Sequence, residues 1–139
     1  MTSFEEFVKS GEVKQREKNN ILAGALIKSA EKRLNFVRKL EISNENAENI
    51  VENSYDIIRE LIETRLSKDG YKSYSHEATI LYLKKFKQFS DKEISQLDWL
   101  RKTRIGTKYY GKESNKEEAG EVINFLDKIL PKLKELSLK

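Results

Sequence analysis

Residues 89–112, FSDKEISQLDWLRKTRIGTKYYGK, hold the signals from which the fold is read. Ser90 and Glu93 stand in the S-x-x-E spacing of a capping box, and Phe89 and Ile94 occupy the two positions of a hydrophobic staple, so a helix starts here. Its apolar seam is Ile94, Leu97 and Leu100. Continued by three or four residues, the seam reaches Arg101 and then Arg104, so cations stand where helical spacing predicts apolar side chains. Such a seam marks a groove or an interface. Gly106 weakens the helix and Gly111 suits its end. Arginines, a lysine and two tyrosines therefore gather at one frayed helix terminus.

Working outward, a second S-x-x-E pair, Ser114 with Glu117, launches an apolar series of Ala119, Val122, Ile123, Leu126, Leu130 and Leu133, which Pro131 is expected to kink or end. Upstream, Ser75 caps HEATILYLKKFKQF, with Ala78, Leu81, Tyr82 and Phe86 facing inward and Lys84, Lys85 and Lys87 near its closing turn. A polar turn around Gly70 precedes it. Ser43 caps a helix whose stripe runs Ala47, Ile50, Val51, Ser54, Ile58, Leu61, Ile62 and Leu66, with an acidic outer face. Before it, a long helix from about Glu12 to Leu40 carries Ile27, Ala30, Leu34 and Val37. Its small residues Ala23, Gly24, Ala25 and Ala30 would admit a close neighbour and make it the central helix. Residues 3–10 form a short leading helix that Gly11 closes. No strand alternation, repeat or interdomain linker is visible. Short connections between these segments predict an all-α, up-and-down four-helix bundle with a fifth short helix, as a single domain over residues 1–139.

Composition narrows the function. The chain has 139 residues, one proline and no cysteine, so disulfides, thiolate nucleophiles and cysteine metal sites are excluded. The N-terminus has no apolar leader and no stretch reaches the length of a membrane span, so a soluble, cytoplasmic protein is expected. The net charge of +4 is unevenly spread, with nine basic and three acidic side chains in residues 83–112. That bias suits an anionic partner, nucleic acid above all.

The single histidine, His76, has no partner at metal-ligand spacing, so no metal is expected, and its place in a first helical turn suggests capping or packing. Glycine-rich phosphate loops and serine-nucleophile signatures are missing, and no cofactor is expected. Arg101, Arg104, Lys108 and Lys112 follow one another at spacings of three and four, a row that suits a phosphate backbone. Tyr109 and Tyr110 beside them could stack on bases or donate hydrogen bonds. The plainer alternative pairs Arg101 with Asp98 and lets the tyrosines fill the end of the bundle.

The acidic-faced second helix, the GYKSYSHEATILYL segment and the LRKTRIGTKYYGK end together resemble the HEPN superfamily of small helical proteins. The resemblance implies a homodimer in which two copies of an arginine and histidine motif face one cleft, and in many members a metal-independent ribonuclease, often a toxin paired with a small nucleotidyltransferase. Its motif is Arg followed, after four to six residues, by His. Arg104 matches the arginine, while Tyr109, Tyr110 and Gly111 stand where the histidine is expected. A tyrosine is only about one part in a thousand ionised at pH 7 and so rarely accepts a proton. The reading is therefore a HEPN-like protein that binds RNA or a protein partner through Arg101, Arg104, Lys108 and Lys112. One alternative is a ribonuclease in which Arg104 stabilises the phosphate and Tyr109, Tyr110 or a spatially recruited His76 handles protons. The other is a structural partner of a nucleotidyltransferase.

Overall fold

The computed structural model describes residues 3–139. Ser3 caps α1 (Phe4–Ser10), its hydroxyl accepting from the Glu6 amide, and Gly11 ends the helix in the left-handed region. The chain does not then enter a long helix. Val13–Gln15 forms a strand, β1, which pairs antiparallel with β2 (Tyr71–Ser73), so a small two-stranded ribbon exists where no strand was expected. Between Gly11 and Asn19 the only apolar side chain is Val13, too little for a helical stripe. Val13 is instead buried with Phe7 and Ala78.

The first long helix, α2 (Asn20–Arg38), starts where the Asn19 side chain accepts from the Leu22 amide. It is followed by α3 (Ala47–Asp69), α4 (His76–Leu81), a 3-10 turn over Tyr82–Lys85, α5 (Asp91–Tyr109) and α6 (Lys116–Leu138). The four long helices form the bundle. At the centre is α3, packed against α2, α5 and α6, and not α2 as its small residues suggested. Only Ala23, Ala30 and Val37 of α2 are buried, whereas α3 buries Ile50, Val51, Ile58, Ile62 and Leu66 among others. These join Leu97 and Leu100 of α5 and Val122, Leu126, Ile129 and Leu133 of α6. Small residues let a helix approach one neighbour closely; apolar residues on several sides let it serve three.

Capping in α5 follows the sequence, with both bonds of the Ser90/Glu93 box formed and Phe89 and Ile94 buried in the core. Other starts shift. Ser43 and Asn46 exchange bonds between each backbone amide and the other's side chain, which makes a turn and delays α3 to Ala47. Asn115, not Ser114, caps α6 by accepting from the Glu118 amide at 2.8 Å. The Ser114 amide is held by Glu48 and the Lys116 amide by Asn44, so the starts of α3 and α6 are tied together. The predicted third helix tightens after Leu81, where the buried Tyr82 ring meets Phe4 and Tyr71 and its hydroxyl donates to Asp69. Burial, and then that carboxylate, raise the phenol's pKa. Pro131 does not end α6; it and Asp127, whose carbonyl loses its donor, are both exposed, so water can take the vacant bond.

Gly70 ends α3 at φ 87, and a Cβ there would lie 2.8 Å from the Arg16 carbonyl oxygen. The Arg16 amide in turn donates to the Gly70 carbonyl at 2.8 Å. Gly70→Ala should destabilise the fold by roughly 2 kcal/mol, combining the left-handed penalty with this overlap. A thermal melt matching the parent protein would refute that account.

Candidate nucleic-acid interface

The seam of α5 continues inward as its spacing implies. After Ile94, Leu97 and Leu100, the next buried residue is Arg104, at 5% exposure. A buried charge needs company. One guanidinium nitrogen lies 3.7 Å from Asp56, an ion-pair distance too long for a hydrogen bond. The Arg104 Cζ is 5.5 Å from the centroid of the Tyr55 ring and 5.8 Å from that of Tyr109. Among the described residues neither the Arg104 Nε nor the neighbouring Tyr55 hydroxyl has a hydrogen-bond partner. Two buried donors on adjacent side chains are thus left without an acceptor.

The acidic face assigned to the surface of α3 turns out to be largely covered. Glu60 takes the Arg33 Nε at 2.8 Å, Glu63 takes Arg59 at 2.7 Å, and Asp56 is shared by Arg33, Arg59 and Arg104. Burial raises the Glu63 carboxyl, with Arg59 and Lys72 pulling it back. Three arginines and three carboxylates therefore nearly balance along this ridge, and free positive charge must come from elsewhere.

It comes from the end of α5, where the row of four cations splits in two. Arg101 turns inward and binds Asp98 at 2.8 Å, with Glu77 of α4 at 3.6 Å. Lys102 also takes Asp98, at 3.2 Å. Lys108 and Lys112 remain exposed and form no ion pair among the described residues. The Lys112 stem lies over Gly106, and the Gly106 carbonyl accepts from the amides of Tyr110 and Lys112, so the chain folds back on the helix end. Gly106 thus shapes the terminus without stopping the helix. The two tyrosines differ: Tyr109 faces Arg104, whereas Tyr110 is 79% exposed.

His76 belongs to this site, beyond the packing role its position suggested. Its ring stacks on Tyr55 with centroids 5.8 Å apart. Burial lowers its pKa first, and the nearby Arg59 and Arg104 lower it further against the pull of Asp56. The imidazole is consequently neutral at pH 7 and able to accept a proton. Three elements, α3, α4 and α5, meet on Tyr55, and no local pattern in the sequence announces that meeting. Among the described residues no group of three His, Cys, Asp or Glu side chains could hold a metal ion.

Beside the site, α4, the 3-10 turn and α5 enclose a groove of about 740 Å³. Ile80, Leu81, Ile94 and Trp99 line it, with Asp98 and Lys102 at its edge. Trp99 is 41% exposed. No helix of the described residues is long and apolar enough to cross a membrane.

The sequence model of the HEPN domain family matches residues 23–136. Neither the curated proteins nor the solved structures gave a match. The matched span runs from the first turn of α2 to the end of α6 and takes in His76, Arg104 and both tyrosines. With most of the chain covered and the helical bundle in place, the protein belongs to the HEPN domain family.

Proposed function

We propose that this HEPN protein binds RNA through the C-terminal end of α5, acting as a homodimer. The observation that carries the reading is the exposed Lys108 and Lys112, unpaired among the described residues, beside Tyr109 and Tyr110, with the buried Arg104 guanidinium behind them. Lysines supply point charge to phosphates and the phenol rings offer stacking surfaces. For the dimer, the support is the groove with Trp99, whose lining also holds Lys84 and Asp91, a basic and an acidic side chain that let one patch complement its own copy. The test is polarisation of labelled single-stranded RNA across a salt series, alongside light scattering. Affinity falling steeply with salt, and a mass of twice 16.3 kDa, are expected. No binding at low salt would overturn the first statement, and a single-chain mass the second.

A second reading, metal-independent RNA cleavage, is favoured by one observation. The neutral His76 imidazole shares Tyr55 with Arg104, so a base and a phosphate-stabilising cation flank one ring. A base of lowered pKa stays active on the acid side of the usual histidine range. Cleavage by this route would persist below pH 6.5 and fade only as His76 gains its proton.

A further inference from the structure

The β1–β2 ribbon carries a second pair of unpaired cations that the α5 end does not explain. Lys14 and Lys72 are direct cross-strand partners, both exposed. Like charges in that relation repel, yet neither lysine forms an ion pair among the described residues. The nearby Glu63 is already engaged by Arg59, and the Glu12 carboxylate accepts from Ser10. Both ammonium groups lie beside the same ring, at 5.8 Å and 5.9 Å from the centroid of Tyr74. Tyr74 is 60% exposed, and its amide is fixed to the Glu12 carbonyl at 2.8 Å.

An exposed ring on an anchored backbone, with an ammonium group from each strand near it, suits a nucleobase and its flanking phosphates. Two residues after Tyr74 comes His76, which stacks on Tyr55; Tyr55 lies under Arg104, and Arg104 under Tyr109. The ribbon and the end of α5 therefore flank one shared, buried cluster of rings and cations.

We propose that the ribbon is the second half of a track for single-stranded RNA, with Tyr74 stacking a base and Lys14 and Lys72 holding its flanking phosphates. This rests on the RNA-binding reading of the α5 end and adds the substrate class, a single strand long enough to reach both places. A duplex keeps its bases stacked inside and offers Tyr74 no face.

The test uses labelled oligouridylates of two lengths, one too short to span both ends, and an adenylate–uridylate duplex. Lys14→Gln combined with Lys72→Gln should lower the salt slope for the long strand by about 1.4 and its affinity near 0.1 M salt by roughly 25-fold. Tyr74→Ala should weaken the long strand by roughly 5- to 150-fold. The short strand held at the α5 end should be unaffected, and Lys14→Arg with Lys72→Arg should bind as the parent does. All these side chains are exposed, so melting temperatures should not fall, and relief of the lysine repulsion should raise that of the glutamine variant. If both variants bind the long strand like the parent protein, the ribbon proposal fails while the α5 reading stands. A parent protein that binds no strand defeats both, and equal affinity for the duplex defeats the single-strand assignment.

Discussion

Tyr109→His should create, or raise by about a hundred- to ten-thousand-fold, RNA cleavage in the presence of EDTA. The position places an imidazole four intervening residues after Arg104, within the spacing of the arginine and histidine motif of HEPN ribonucleases. The geometry favours it over Tyr110, because the Tyr109 ring already lies against the Arg104 guanidinium while Tyr110 points to solvent. Arg104 and Lys108 would hold the new imidazole below its ordinary pKa and so keep it neutral, the form that removes a proton from a 2′-hydroxyl. Adding Arg104→Ala should abolish the gain. The bundle should tolerate that second change, because Asp56 keeps Arg33 and Arg59 when Arg104 is removed. A folded Tyr109→His protein that cleaves no faster than its parent would sink the idea.

Lys108→Gln with Lys112→Gln should weaken RNA binding by roughly 25-fold near 0.1 M salt, since each phosphate that goes without its cation takes about 0.7 off the logarithmic salt slope of a single strand. The pair is the informative choice. Arg101 and Arg104 were expected to share the same row, but they are turned inward into ion pairs with Asp98, Glu77 and Asp56, so replacing them would remove those pairs along with any charge offered to RNA. Glutamine keeps the part of the Lys112 stem that covers Gly106, which isolates the charge. Binding curves that overlay the parent's at every salt concentration would remove the α5 end from the interface.

How much of this was legible depends on the reach of each interaction. The Ser90/Glu93 box and its Phe89/Ile94 staple are made within five residues, and the structure contains them as read. Arg104 was visible as a cation on an apolar seam, and its burial is the three-dimensional form of that interruption. Where the deciding partner was distant, the reading slipped. Ser114 yielded its capping place to Asn115, with its amide held by Glu48 of another helix and its hydroxyl donating to Glu118. The strand at Val13 needed a partner at Ser73, and nothing near Val13 announces one. The convergence of His76, Tyr55, Asp56 and Arg104 depends on how three helices cross, which helical periodicity does not encode.

The ribbon also bears on the order in which the chain assembles and opens. Its two strands are separated in sequence by the whole of α2 and α3, so their pairing must wait until those helices have come together. Three residue pairs, of which only Val13 is fully buried, give little to hold them once formed. The ribbon with α1 should therefore form last and loosen first, its amide hydrogens exchanging faster than those of α3. A strand of RNA lying across it would act as a splint, and the slowing of exchange would spread no further than the residues it spans.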